Sequence, residues 1–594
     1  MRISALLCLL GAASILAATA GVKHKILFNR FLVPELQIMI ADSDGKNERL
    51  LAPHTGAPMA IEYSPSWSSD GQWIVYTQER DGLSDIYRIH PDGSGLERLT
   101  DDPAFDDQAV LSPNGKFLAF VSTRGAGTPN LWLLDIATKK YTALTSGQPG
   151  NYRPAWSPDG NWIAFSSDRD TKRGTFPGHW EMLQSTGIYI IRPDGSGLRR
   201  VTKTGGVAGS PAWSADGKRI LFYETDETGA YLAKGGNSRT EFISVDVATG
   251  DRQLHTASNE VKLSPVWLRG GRIGYAVRGA AAGIKVLNAD RRIVNIVDGP
   301  VLHPSWAPKG DRLVYERSVR PAMTEHLIPT TSRDPEFSLL LSEPFPSFSP
   351  DGRRLLYSQY GNNGRSAGDT SVEIMDADGM GKKTLFHETG TSAYDANWSP
   401  AGDLILFSVG RYFRQAGLPA AQIATIKPDG SGFEAIVSDG VNNGFPSWSP
   451  DGKRIVYKHG KQLVIRTLAD GKTVELTNGA HYDNFPKWHP SGDRILFTSD
   501  RDGRFELYTI RPDGTDLKRL TNVAGLNAHA SWSPDGNWIV FSSGRRGFKD
   551  EMALFSGIPQ PYGEIFAMRA DGSDVRQLTD NKWEDASATW APEK

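Results

Sequence analysis

One twelve-residue string dominates the chain. Pro-Ser-Trp-Ser-Pro-Asp-Gly-Lys-Arg-Ile-Val-Tyr begins at Pro446, and close variants begin at Pro65, Pro154, Pro211, Pro304, Pro346, Pro486 and Ala530. Weaker copies surround Leu111, Trp267 and Trp398, and a truncated copy, Ala-Thr-Trp-Ala-Pro-Glu-Lys, contains Trp590. The anchor position of the repeat is therefore 67, 111, 156, 213, 267, 306, 348, 398, 448, 488, 532 and 590, twelve copies spaced 39 to 58 residues apart. A period of that size marks a chain built from repeated supersecondary units that stack on one another.

Each copy contains four short strands. The first ends at the anchor. The Ser-Pro-Asp-Gly turn after it places Pro where φ near −65° is wanted and Gly where φ must be positive. The second strand is an apolar run such as Trp-Ile-Val-Tyr, and the third has the form Ile-Tyr-x-Ile. A second turn, Pro-Asp-Gly-Ser-Gly, follows at Asp92-Gly93, Asp194-Gly195 and Asp429-Gly430, and a fourth strand closes the unit. No long helical periodicity competes, so the fold class is all-β. A four-stranded antiparallel unit of about 45 residues is one β-propeller blade. Ten of the 16 tryptophans occupy the anchor position, so the aromatic content is mostly packing between blades rather than a ligand platform.

The pattern Ser-Pro-Asp-Gly-x-Trp-Ile-x-Phe, then Ile-Tyr-x-Ile and Pro-Asp-Gly-Ser-Gly-x-x-Arg-Leu-Thr, resembles the TolB-like β-propeller repeat, which also occurs in the propellers of prolyl oligopeptidase-family peptidases. The resemblance covers nearly the whole chain, without a catalytic domain beside it. It implies rings of six or seven blades, so twelve four-stranded blades suggest two six-bladed β-propellers, with one twelve-bladed ring as the alternative. Residues 25–30, 36–40 and 49–51 resemble a second, third and fourth strand. The expectation is that residues 21–59 complete the Trp590 blade, that residues 60–343 form a first propeller closed on itself through 326–328 and 337–341, and that residues 344–594 form the second. The rival is a first ring that includes residues 25–51.

Lysine and arginine number 66 against 68 acidic residues, a formal charge of −2, which argues against a nucleic-acid-binding face or a polybasic membrane patch. The one cysteine, Cys8, cannot support a disulfide framework or a cysteine zinc site. Residues 1–20 have an early Arg, an apolar run and Ala18-Thr19-Ala20, the order of a secretory signal peptide. The expected product is a secreted or periplasmic monomer with no membrane contact after cleavage.

Function is expected where the repeats are irregular. The turns after strands one and three are short and uniform, whereas insertions occur in the loops between strands two and three, which share the opposite face with the links between blades. Two insertions combine aromatic and charged residues: His179, Trp180 and Glu181 in one, Lys549, Asp550, Glu551 and Tyr562 in the other. The links into the innermost strands add Tyr152, Arg153, Tyr394, Asp395, His481, Tyr482, Asp483, Asn484 and His529 around the axial mouths. Histidine and carboxylate converging from adjacent blades could hold a divalent cation, although no spacing matches a metal motif, and no cofactor is otherwise called for. No Gly-x-Ser-x-Gly elbow, His-Glu-x-x-His, phosphate loop or dinucleotide fingerprint is present. The expected function is a non-catalytic scaffold that binds a protein or glycan partner. The alternative is a carbohydrate-active enzyme, a polysaccharide lyase or hydrolase, using Tyr152, Arg153, His481, Tyr482 and His529.

Overall fold

The computed structural model describes residues 24–31, 35–51 and 61–592, apart from 81, 126, 171–183, 204, 228–237, 320–326, 361–369, 412–418, 524 and 552–562. The expected signal peptide and His179, Trp180, Glu181 and Tyr562 lie outside the described residues. Among the described residues 48 strands make up the sheets, and no helix there is long and apolar enough to cross a membrane. The strands form four-stranded blades, named here by their anchors; a single parallel pair, Thr370 with Ser392, joins the Phe348 and Trp398 blades.

The repeat motif explains each blade locally. In the Trp448 blade, Ser449 Oγ donates to Asp451 Oδ1 at 2.5 Å and accepts the Arg454 amide at 2.9 Å, while Gly452 takes φ of 67°. The same Ser-to-Asp bond closes the turns at Ser68, Ser157, Ser214, Ser349 and Ser533. The anchor tryptophans are core residues with a polar task. Trp156, Trp213, Trp398, Trp448, Trp532 and Trp590 each donate their indole N–H, over 3.0 to 3.4 Å, to the carbonyl of the residue just before the anchor in the preceding blade. Each therefore fills the wedge between blades and fixes their relative height.

The innermost strands of the Trp67, Leu111, Trp156, Trp213, Trp267 and Trp306 blades lie against one another in sequence, and that of Trp306 packs back onto that of Trp67. In the remaining six blades, Phe345, Tyr394, Phe445, Phe485, Ala528 and Ala586, one from each, share an axial cluster. Leu27 and Leu340 of the Trp590 blade pack with Leu355 and Tyr357 of the Phe348 blade. These two sets are called the first and second rings below.

The strands that complete the Trp306 and Trp590 blades differ from expectation. His24–Phe31 pairs with Glu584–Trp590, Ile26 opposite Trp590, as its sequence suggested. Glu35–Asp42 and Arg49–Leu50, however, complete the Trp306 blade, with Ile40 opposite Val314. The strands Ile328–Thr330 and Phe337–Ser342 instead complete the Trp590 blade, the latter parallel to His24–Phe31. Residues 60–343 therefore do not close on themselves: the first ring is closed by Glu35–Asp42 and Arg49–Leu50, as the rival reading had it for residues 35–51, and the second ring takes His24–Phe31 together with Ile328–Thr330 and Phe337–Ser342. Both blades are thereby brought to four strands.

Candidate functional site

Three residues before every anchor lies a non-glycine residue with φ between 49° and 57°, within the innermost strand in every blade but that of Phe348. In the first ring these are Ser64, Gln108, Arg153, Ser210, Ser264 and His303; in the second they are Phe345, Asp395, Phe445, Phe485, His529 and Ser587. Nearly all coincide with a break in register against the second strand, a bulge that re-aims the side chain. Eight precede Pro and four precede Ala, and a following Pro already excludes the right-handed helical conformation. The result is one residue per blade around each axis. Arg153, Asp395 and His529 were anticipated as mouth residues; the rest of these girdles was not.

The first ring's mouth is filled by the second ring. The segment after strand Trp538–Ser543 crosses to the first ring's axis, where Tyr152 Oη donates to the Phe548 carbonyl at 2.9 Å and Gln108 Nε2 to that of Lys549 at 3.3 Å. Arg153 binds the Asp550 carboxylate through Nε at 3.0 Å and through its second nitrogen. Glu551 accepts from the Ser210 amide at 2.9 Å, the Ser210 hydroxyl at 2.5 Å and the Ser166 hydroxyl. Burial raises the pKa of Glu551 against the attraction of Arg153. Lys549 turns back to Asp580 at 2.5 Å, which also accepts from Thr123 of the first ring at 2.6 Å. Burial works against the Asp580 charge, but Lys549 and Arg333 hold its pKa below the usual range. Burial, with Asp580 and Asp585 nearby, pushes neighbouring Glu564 up to about 8.

A second contact lies beside it. Trp583 is fully buried, edge-on to Tyr63 with ring centroids 6.2 Å apart, and its N–H donates to Glu79 Oε2 at 2.7 Å. Arg30 bridges Glu79 at 2.9 Å and Asp585 at 2.7 Å. The Lys582 ammonium lies 3.3 Å from the centre of the Tyr63 ring. The irregular faces of the two rings thus meet each other, and their charged and aromatic residues satisfy one another.

This placement corrects the expected constellation. Tyr152, Arg153, Lys549, Asp550 and Glu551 do come together, but in a contact between rings. His481, half exposed near Asp500, and His529, buried on the second axis, belong to the other ring. The five residues proposed for polysaccharide chemistry are therefore not one site. Asp483 is held by Arg501 at 3.0 Å, Tyr482 lies under the Lys461 ammonium at 4.8 Å, and Asn484 is fully buried. Among the described residues, no group of three or more His, Cys, Asp or Glu is placed to hold a metal ion.

On the second axis a cavity of about 90 Å³ remains. Its lining runs from the left-handed residues toward the anchors, in the half of the axis next to the uniform Asp-Gly turns. Phe345, Phe485 and His529 form an aromatic floor, with the His529 and Phe485 rings 4.3 Å apart. Lys487 Nζ reaches Asp395 Oδ1 at 3.3 Å and Asn397 Oδ1 at 3.2 Å, and Ser531 and Thr589 add hydroxyls. Asp395 and His529 are the anticipated residues present. Lys487, Asn397 and Ser531 were missed, although each lies two residues beyond a left-handed position and so faces the same axis.

Four-stranded antiparallel blades stacked in sequence about an axis define a β-propeller. The chain matches the TolB beta propeller domain over residues 28–176, 287–484 and 458–554, more than half its length, and belongs to that family. Similar curated proteins include a Protein TolB homolog of Chlorobium luteolum, 30% identical over 30% of this chain and 35% of its own. The Tol-Pal system protein TolB of Francisella tularensis subsp. tularensis is 27% identical over 46% of this chain and 60% of its own. The chain thus spans between 35% and 60% of the length of these relatives. Among solved structures, putative TolB from Agrobacterium tumefaciens is 19% identical, with a TM-score of 0.39, over 49% of this chain and all of that one. The tricorn protease is 14% identical, with a TM-score of 0.34, over 82% and 46%.

Proposed function

We propose that this protein is a secreted or periplasmic scaffold of two six-bladed propellers, with no chemistry of its own, that binds a protein partner through the second ring. The observation that carries this is the division of labour between the axes: the first mouth is taken by the chain's own residues 548–551, whereas the second contains a cavity with an aromatic floor and polar walls. Such a site suits an inserted side chain or turn of a partner. A protein partner also agrees with curated relatives named as parts of a Tol-Pal system. The test is Ser531→Trp, which fills the cavity from one wall. Partner capture from periplasmic extract is expected to fall at least tenfold, with unchanged circular dichroism. Undiminished capture by a folded variant, or capture of glycans alone, would count against the proposal.

A further inference from the structure

The two axes are built in opposite order. The residue just before each anchor lies two positions beyond the left-handed girdle and faces the same axis. In the first ring these residues are Ser66, Val110, Ala155, Ala212, Val266 and Ser305, mostly apolar, next to a girdle that is polar throughout. In the second ring they are Ser347, Asn397, Ser447, Lys487, Ser531 and Thr589, all polar, next to a girdle with three phenylalanines. The first ring thus offers its polar groups toward the irregular face, where residues 548–551 use them. The second ring keeps its polar tier on the side of the uniform turns, where the cavity lies.

The chemistry of that cavity is narrow. Five of the six polar residues line it, while Ser447 is turned to accept from the Trp488 amide at 3.2 Å. Lys487 and Asp395 supply one ammonium and one carboxylate, with Lys487 Nζ at 3.3 and 3.4 Å from the two Asp395 oxygens and 3.2 Å from Asn397 Oδ1. These two residues engage two of the three ammonium N–H groups. The Asn397 amide nitrogen is itself taken, donating to the Asp395 carbonyl at 2.6 Å and the Pro446 carbonyl at 3.1 Å. Ser587 lines the same wall, is 8% exposed, and its buried hydroxyl has no hydrogen-bond partner.

An acidic side chain entering this space would meet Asp395 and a basic one Lys487, and either would bring in a charge without a counter-ion. An apolar side chain would leave the wall hydroxyls and the third N–H unmet. A carboxamide fits both demands: its oxygen accepts from an ammonium, its nitrogen donates to hydroxyl oxygens, and it adds no charge. The volume of about 90 Å³ has room for one short side chain.

We propose that this cavity receives the carboxamide of an asparagine or glutamine side chain, presented by the partner protein from the face of the uniform Asp-Gly turns. This rests on the scaffold reading and names the chemical group that the second axis selects.

The probes are single residues capped as N-acetyl N-methylamides, namely Asn, Gln, Asp, Glu, Lys and Leu, with glucose as the glycan arm, titrated into the full-length protein and followed by saturation-transfer NMR. Capped Asn or Gln is expected to bind with a dissociation constant of about 1 mM, and the other probes at least about tenfold more weakly. Asp395→Asn keeps a residue suited to left-handed backbone but leaves Lys487 without its counter-ion. It should reverse the order, so that capped Asp or Glu binds about tenfold tighter than capped Asn or Gln. Ser531→Trp should abolish binding of every probe. A wild-type protein that binds no carboxamide, or that prefers a charged or apolar residue or glucose, would overturn the proposal. So would carboxamide binding that survives Ser531→Trp, or an order that Asp395→Asn leaves unchanged. Partner capture that Ser531→Trp abolishes, together with no carboxamide preference in the panel, would retain the scaffold reading and dismiss this chemistry. Capture that Ser531→Trp leaves intact would remove the scaffold reading, and this proposal with it.

Discussion

Trp583→Ala tests whether the two rings form one cooperative body. Trp583 belongs to the second ring, is fully buried and packs with Leu36, Ile61 and Tyr63 of the first. Truncating a buried tryptophan costs about 3–5 kcal/mol. The indole N–H is also lost from Glu79, a buried carboxylate whose remaining partner is Arg30 at 2.9 Å, and a bond to a charged group is worth about 1.5–3 kcal/mol. Because Arg30 softens the second loss, we expect a total of about 5 kcal/mol for Ala. Trp583→Phe keeps most of the packing against Tyr63 and should lose about 2 kcal/mol. Guanidinium denaturation of each variant, followed by circular dichroism, supplies the free energies and the m-value. Both losses should appear in a single transition with the wild-type m-value. An Ala variant within about 0.5 kcal/mol of wild type, as at an exposed site, would refute the reasoning. So would a Phe variant as damaged as the Ala variant, because the N–H bond and the packing would then not be separable.

Two further outcomes follow from particular groups. Glu316 is buried, which opposes its charge, yet His303 with Nδ1 at 3.0 Å, Lys582 and the Ser64 amide lower its pKa to about 2. A lowered folded pKa contributes stability that is complete above the unfolded value near 4.5 and lost as pH falls toward 2. Glu316→Gln should therefore remove about 3 kcal/mol of the acid-dependent loss between about pH 4.5 and 2, measured as the difference between the two stability–pH curves; identical slopes would exclude this assignment. A fragment of residues 60–343 lacks Glu35–Asp42 and leaves Arg312–Val319 as an open edge. It should aggregate and be rescued by a peptide spanning 24–51, as judged by size-exclusion chromatography; a stable monomeric fragment would contradict completion of the Trp306 blade by Glu35–Asp42.

The blades were legible because their physics is local. Ser449, Asp451 and Gly452 specify a turn without help from elsewhere, and Trp448 marks the wedge beside it. Which strands complete the Trp306 and Trp590 blades was not legible, since Ile38-Met39-Ile40 and Leu339-Leu340-Leu341 present equivalent apolar patterns. Composition alone does not name a strand's neighbour. Lys549, Asp550 and Glu551 were expected to meet a ligand and instead meet Asp580, Arg153 and Ser210 of the same chain, partners that a cluster of charges in sequence does not reveal. The axial girdle had a signal, a residue before Pro or Ala three positions ahead of each anchor, which is recognisable once the left-handed backbone is known.

The long-range closing strands of the two rings also dictate a timetable for synthesis. His24–Phe31 leaves the ribosome early but borders strands from Phe337–Ser342 and Glu584–Trp590, so more than 500 residues must follow before its place between them exists. Glu35–Asp42 waits for Arg312–Val319. During that interval both apolar strands require a holding partner or must remain soluble as an open chain, and contacts of such sequence separation form slowly. Once made, the same pairings resist opening from either end, so a protein with ordinary equilibrium stability would unfold slowly and persist for long periods where no chaperone could restore it.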